Sequence, residues 1–328
     1  MLRPAISIVG CLLASWAMAD TVTLSSGDDG QGRIEISGTV VDWTGQQITI
    51  RNASGAERKY PAERVREVDT KWPEGYQQGT DELAEGNYSR AAELLAAAAR
   101  ADQRPWGRRL AMQQLMKCYA GSGDAATAGR LLVELAKSDP ATPALERAPL
   151  AWHASTQVAP AVVDEWLASD QPAAKLLGAS YSLSGSKRAA ALAALAALAR
   201  SGHEQIAPLA EMQQWRTEVV TATKADVERW QQRLAAFPNA LQPGGWLVVG
   251  DTWRQLRETD AAALAYLRSS MLAEQQPQLA AAALLRAAKV LGSGGHQEEA
   301  KRLATRLVRE YSKTAAAAEA KDMLQSAE

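Results

Sequence analysis

The stretch that decides the fold is residues 109–142, RLAMQQLMKCYAGSGDAATAGRLLVELAKSDPAT. Its apolar residues recur every three or four positions, which is the spacing of one face of an α-helix. Gly121, Gly123 and Asp124 interrupt the period and predict a turn, and Pro140 ends the second periodic run. The stretch is therefore predicted to be a hairpin of two packed helices. The apolar faces of the two helices carry Met112, Leu115 and Tyr119, then Ala128, Leu132 and Leu135.

Three further stretches carry the same arrangement, a turn or aromatic pair followed by small and apolar residues. They are Gly86-Asn87-Tyr88 ahead of Ala91; Trp246, Gly250 and Trp253 ahead of Ala262 and Tyr266; and Gly294-Gly295 ahead of Ala300, Leu303 and Leu307. These offsets resemble the tetratricopeptide repeat of about 34 residues, whose small residue lets paired helices approach closely. Ala128 and Pro140 fit the small-residue and proline positions of that repeat, but in the stretch that begins at Trp246, Glu274 stands where the repeat has proline.

The ending of the last stretch, residues 307–312, is similar to repeats of exported bacterial cell-envelope proteins, although it lacks their proline. The resemblance implies a mostly α chain that forms an α-α superhelix, a TPR-like solenoid, preceded by a small all-β barrel. TPR-like hairpins are expected over 71–142 and 243–328, the latter ending in a capping helix over 315–326. The middle, 143–242, is helical by its period without the repeat signature, so it forms either degenerate repeats or a plain α-solenoid.

Residues 20–70 have a period near two, which predicts short strands. Strands are expected at 21–24, 33–41, 47–51, 58–60 and 65–68, with turns at 27–30, 42–45 and 52–55. Gly38 predicts a bend or bulge in the second strand. So many short strands in about 50 residues predict a small closed barrel. The spacing of Gly38, Val40 and Gly45, followed by Ile48, Ile50, Val65 and Val68, resembles SH3-like and Sm-like barrels. Binding of peptide or RNA does not follow from the fold alone.

Residues 1–19 have the pattern of a secretory signal peptide. Arg3 precedes a short apolar core, and Ala17-Met18-Ala19 forms a small-x-small cleavage site ahead of Asp20. The protein is therefore expected to be exported to the periplasm or cell envelope. Ile8-Val9-Gly10-Cys11 competes as a lipid-attachment motif, which gives a lipid anchor at Cys11 as the alternative. Cleavage after Ala19 leaves Cys118 as the only thiol and excludes an intramolecular disulfide.

Composition excludes several classes of function. The chain has 36 Lys and Arg against 37 Asp and Glu in 328 residues, and this balance argues against nucleic acid as a partner. No later apolar run is long enough to span a membrane; the longest, residues 189–199, lies between two arginines. Counting gives 66 Ala, and ten Trp stand beside one Phe, which predicts large side chains set among closely packed Ala-rich helices.

No constellation of catalytic residues is visible. His153, His203 and His296 are far apart in sequence, and no nucleophile-elbow, zincin or phosphate-loop motif occurs. Cys118 is read as a buried, unreactive thiol on a repeat helix. We therefore expect no enzyme activity, no cofactor and no metal site.

Recognition is the expected function. In a tetratricopeptide array the first helix of each repeat lines a concave groove, and the resemblance places Gln113, Lys117, Asp251, Arg254, Arg286 and Lys289 there. Four of the six are basic and could hold carboxylates of a protein or peptide partner; the alternative is an ordinary solvated groove. The chain is thus predicted to be an exported scaffold or adaptor.

Two aromatic sites leave alternatives open. Trp43 either contacts a ligand, which would make the barrel a cell-wall or glycan-binding module, or plugs the barrel or packs on helices. The basic turn around Trp106, with Arg100, Arg104, Arg108 and Arg109, is read as a structural junction rather than a nucleic-acid site.

Overall fold

The computed structural model describes residues 19–26, 32–153, 157–273 and 275–326. All but the last residue of the predicted leader, with Cys11, lies outside the described residues, as do the expected turn at 27–30 and Glu274. Contacts divide the chain into a sheet unit, Met1–Lys71, and a helical unit, Trp72–Glu328. In the described part of both units, no helix is both long enough and apolar enough to cross a membrane.

The sheet unit is a five-stranded antiparallel sheet with the strand order β4-β3-β2-β1-β5. The strands are β1 Asp20–Ser26, β2 Gly32–Trp43, β3 Gln47–Arg51, β4 Glu57–Pro61 and β5 Val65–Asp69. Its core is formed by Val22, Leu24, Val40, Ile48, Ile50 and Val68.

Strand β2 changes partner halfway along its length. Residues up to Gly38 pair with β1, and residues from Thr39 pair with β3. A Cβ on Gly38 would lie 2.6 Å from the carbonyl oxygen of Arg51, so only glycine permits this crossing. The register then shifts between Val40 and Asp42, which is the irregularity expected near Gly38. The turn expected at 42–45 begins later, because β2 continues through Trp43.

The helical unit contains fourteen α-helices within its described residues. They are α1 Tyr76–Ala84, α2 Tyr88–Ala101, α3 Pro105–Ser122, α4 Ala125–Ser138, α5 Pro160–Ala168, α6 Pro172–Ser182, α7 Arg188–Ala199, α8 Ile206–Glu218, α9 Lys224–Ala235, α10 Pro243–Gln255, α11 Thr259–Leu272, α12 Pro277–Ser293, α13 Gln297–Glu310 and α14 Ala315–Ser326. Several begin at a proline, whose fixed φ and missing N–H suit the first helical position.

The four stretches with turn and small-residue patterns form the pairs α1/α2, α3/α4, α10/α11 and α12/α13. The small residue of each second helix, Ala91, Ala128, Ala262 or Ala300, is buried. The helices of each pair approach closely because these positions carry no more than a methyl group. In the third pair, a Cβ on Gly250 of α10 would lie 2.5 Å from the ring of Tyr266 on α11.

The expectation that Gly121 belongs to the α3/α4 turn is wrong. Gly121 is buried in the last turn of α3, where a Cβ would lie 2.5 Å from the ring of Tyr88. Gly123 makes the turn with φ of 89°, and Asp124 caps α4 by accepting a hydrogen bond from the Thr127 amide at 2.9 Å. Gly121 therefore serves packing rather than chain reversal.

Contacts between distant parts of the chain join the two ends of the helical unit. The Lys313 ammonium donates to the carbonyl oxygen of Gly86 at 2.8 Å, and Gln278 Nε2 donates to that of Gly121 at 2.8 Å. Arg147 also donates to Gln275 Oε1 at 2.7 Å. A stack in which each hairpin touches only its neighbours makes no such contacts. The first and last hairpins therefore meet along a seam, defined here as the contacts of α3 and the α1–α2 loop with the start of α12 and the loop before α14.

Candidate binding cavity

A cavity of about 1160 Å³, called here the basic cavity, lies among α5, α6, α8, α10 and α12. Four of the six residues assigned to the groove line it: Asp251, Arg254, Arg286 and Lys289. Asp251 and Arg254 are three residues apart on α10, and Arg286 and Lys289 are three apart on α12. This spacing turns both side chains of each helix toward the same wall. The structure thus brings together residues from two predicted repeats.

Asp251 is an internal counterion of the basic cavity. Its Oδ2 accepts a hydrogen bond from Arg286 Nη1 at 2.5 Å, and its Oδ1 accepts one from the Tyr266 hydroxyl at 2.8 Å. Burial, together with the charge of Asp251, raises the pKa of Tyr266, so its hydroxyl remains a neutral donor. Both oxygens of this carboxylate already have partners.

Arg216 on α8 also lines the basic cavity, and sequence reasoning missed it. Its Nη1 donates to the Ser180 carbonyl oxygen at 3.2 Å and to Gln213 Oε1. Gln213 is fully buried and is held by the Ser180 hydroxyl, which donates to the same Oε1 at 2.8 Å. Neutral groups of α6 and α8 therefore position this guanidinium. The sequence feature that could have indicated Arg216 is its spacing of three residues from Gln213, beside the apolar residues of α8.

The positive charges raise the cost of further protonation in the basic cavity. Burial, with the nearby Arg286, lowers the pKa of Arg216 to about 10. Burial, together with the charges of Arg286 and Arg216, lowers the pKa of His153 to about 4. His153 is therefore neutral near pH 7 and adds no charge.

Cations exceed acids on the wall of the basic cavity. Arg216, Arg254, Arg286 and Lys289 face one lining carboxylate, Asp251, among the residues that the structure describes there. Lys289 has an acidic partner outside this wall, since it donates to Glu319 of α14. The rest of the wall includes the aliphatic side chains Val163, Val219, Val220, Val248 and Val290. The arrangement suits a ligand with both acidic and aliphatic groups.

The remaining residues assigned to binding lie elsewhere. Gln113 Nε2 donates to Thr142 Oγ1 at 3.4 Å and does not line the basic cavity. Lys117 lines two smaller cavities along the seam. Trp43 is half-buried at the end of β2, opposite Ile48 in the β2–β3 register. The structure therefore does not gather all seven residues into one site.

The basic turn around Trp106 is a packed junction. Trp106 is fully buried, and the guanidinium carbon of Arg104 lies 4.5 Å from the centre of its ring. Arg104 also forms two hydrogen bonds with the buried Asp102, at 2.9 and 2.8 Å. Trp72 meets Trp106 edge-on, with 5.7 Å between ring centres. These contacts fit the structural interpretation of this turn.

Cys118, His203 and His296 do not line the basic cavity, whereas His153 does. Cys118 is buried, and burial raises the pKa of its thiol to about 11. His203 Nε2 lies 3.1 Å from the Pro140 carbonyl oxygen, and His296 lies 3.7 Å from Asp260. No three His, Cys, Asp or Glu residues of the described chain are placed to share a metal ion.

Comparison with known proteins assigns no family. No protein-family model matches the chain, and no curated protein matches it. The class of protein is given by its architecture, a five-stranded antiparallel sheet followed by paired helices.

Proposed function

We propose that this protein is a non-catalytic scaffold, exported to the periplasm or cell envelope, that holds an acidic segment of a protein or peptide in the basic cavity. The observation that carries the proposal is the charge imbalance on the wall. Three guanidiniums and an ammonium surround one carboxylate, and that carboxylate is already paired. Arg216 is partly buried and donates only to the neutral Ser180 and Gln213, so a carboxylate of a partner would supply the charged pair that it lacks, and the more exposed Arg254 could bind another.

The proposed architecture is a TPR-like solenoid whose first and last hairpins meet at the seam, following a small barrel. Buried alanines in the second helices of four pairs support the repeat assignment, as does the contact of Gly250 with Tyr266. The change of pairing partner along β2, from β1 to β3, supports the barrel, because one strand then belongs to both halves of the sheet. Solenoids offer extended binding surfaces, which suit an unfolded segment better than a compact ligand.

Export is proposed from the pattern of residues 1–19. The single thiol that remains after cleavage, Cys118, is buried and would not react in an oxidising compartment. We therefore expect the binding partner to be a component of the envelope.

Site-specific photo-crosslinking in cells tests the proposal. A photo-reactive amino acid is placed at Val220, which lines the basic cavity and is 77% exposed. The matched control is Met271 on α11, which is 72% exposed and does not line that cavity. We expect Val220 to capture a defined envelope protein through an acidic segment, and Met271 to capture none. The same proteins captured from both positions, or partners joined through basic segments, would overturn the proposal.

A further inference from the structure

A second, smaller cavity lies on the seam of the helical unit, outside the site just proposed. It has a volume of about 230 Å³ and is called here the seam pocket. Its walls come from α3, the segment 147–153, the start of α12 and the loop before α14. It adjoins the basic cavity, since Trp152 and His153 line both. Pockets for drug-sized ligands measure about 300–1,000 Å³, so this one suits a smaller molecule.

The seam pocket has an apolar wall and a cationic wall. Met116, Leu150, Trp152 and Leu279 supply apolar surface. Lys117, Arg147 and Lys313 supply positive charge, and no Asp or Glu is among the described residues that line the pocket. Lys313 is already engaged, because it donates to Gly86 and Asn87. Lys117 is therefore the cation left without a hydrogen bond or ion pair in the described chain, and Arg147, which donates to Gln275, lines the pocket with it.

Lys117 is the unusual residue of this wall. Its side chain is half-buried, yet it makes no hydrogen bond or ion pair with the part of the chain that the structure describes. Burial lowers the pKa of Lys117, and the charge of Arg147 lowers it further. Arg147 donates to Gln275 and has its nearest carboxylate, that of Glu146, at 3.9 Å. Lys117 thus has no acidic partner in the described chain, and Arg147 has a long ion pair, so two cations are weakly compensated at the edge of an apolar cavity, an arrangement that costs stability.

We propose that the seam pocket binds a small amphipathic carboxylate, with its acid group on Lys117 and Arg147 and its apolar body against Met116, Leu150, Trp152 and Leu279. The carboxylate would pair the cations, and the apolar body would fill the pocket. The ligand would touch segments from both ends of the helical unit, so binding stabilises the seam. The proposal does not rest on partner binding in the basic cavity, although Trp152 lines both cavities.

Octanoate and the uncharged octan-1-ol are matched probes for this proposal. Both are titrated into the full chain, with heat of binding and melting temperature as readouts. We expect octanoate to bind with a stoichiometry of one and to raise the melting temperature. We expect octan-1-ol to bind at least tenfold more weakly, because its hydroxyl carries no negative charge to pair with Lys117 and Arg147. Equal effects of the two probes, or no binding of octanoate at millimolar concentration, would overturn the proposal.

Three variants locate the site. Lys117→Met keeps the length of the side chain and removes the charge, and we expect at least a tenfold loss of octanoate affinity. Its melting temperature without ligand should be no lower than that of the wild type, because an unpaired buried ammonium has been removed. Lys137→Met, at an exposed surface pair on α4, and Arg254→Gln, in the basic cavity, should bind octanoate unchanged. Wild-type affinity in Lys117→Met, or an equal loss in either control, contradicts the assignment.

Discussion

At the scale of single residues, the repeat pattern predicted the cavity cations that lie within a recognisable repeat. It missed Arg216, which lies outside one. Arg254, Arg286 and Lys289 were placed by their offsets within predicted repeats, and the structure brings them to one cavity. Arg216 lies in the segment 143–242, where no signature fixes a register. Its position depends on Ser180 and Gln213, which sequence spacing does not connect to it.

His153 gives a residue-scale prediction about pH. Its pKa in the folded chain, about 4, is below the ordinary value near 6.5, so only the unfolded chain readily takes up the proton. Stability is therefore unaffected above pH 6.5 and is lost as pH falls toward 4. Between pH 7 and pH 5, we expect the unfolding free energy of the wild type to fall by about 2 kcal/mol more than that of His153→Gln. Urea unfolding at the two pH values measures this, and equal losses in variant and wild type would refute the burial of a neutral imidazole.

Gly250 gives a second prediction at this scale. A Cβ there would lie 2.5 Å from the ring of Tyr266, so Gly250→Ala should lower the unfolding free energy by about 1–3 kcal/mol, despite the better helix propensity of alanine. Gly292→Ala is the control, because its Cβ would lie 3.5 Å from Ala300, an ordinary contact. The control should be neutral or up to about 1 kcal/mol stabilising. If both variants are equally stable by chemical denaturation, the close approach of α10 and α11 is wrong.

At the scale of elements, the sequence was most informative where a single period or a single turn residue determines the bounds of a strand or helix. Strand β3 has its expected bounds because Ile48 and Ile50 alternate with polar residues between two turns. The four helix pairs lie where the small residues predicted them. Gly121 was misplaced because glycine serves both turns and close packing, and only the ring of Tyr88, from the preceding pair, distinguishes the two.

The α3/α4 pair gives an element-scale prediction. Ala128 is fully buried between helices, so Ala128→Leu should cost about 1–3 kcal/mol of unfolding free energy through overpacking. Ala97→Leu, at an exposed position of α2, is the matched control and should lie within about 0.5 kcal/mol of wild type. The melting temperature of each variant is compared with that of the wild type. A melting temperature unaltered in Ala128→Leu would show that the register of α4 is misassigned.

At the scale of the whole molecule, sequence reasoning predicted two parts, a strand-rich one and a helical one, but not the seam. The contacts that close it join residues far apart in sequence, as from Lys313 to Gly86 and from Gln278 to Gly121. They are single hydrogen bonds from polar side chains with no periodic pattern. The seam pocket escaped prediction for the same reason, although Lys117 on its wall had been chosen for a groove.

Binding of an acidic peptide to charge-matched variants tests most directly the central claim that the basic cavity holds an acidic segment. A fluorescent peptide of Glu, Val and Ser is compared with its Lys counterpart by anisotropy. Arg216→Gln/Arg254→Gln removes two cavity cations and leaves the Asp251–Arg286 pair intact, whereas Arg229→Gln/Arg306→Gln removes two surface cations.

We expect the acidic peptide to bind the wild type and the surface variant alike, and the cavity variant at least tenfold more weakly, because charge-assisted hydrogen bonds are lost. Indistinguishable behaviour of the acidic and basic peptides, or equal losses in the two double variants, would contradict the claim.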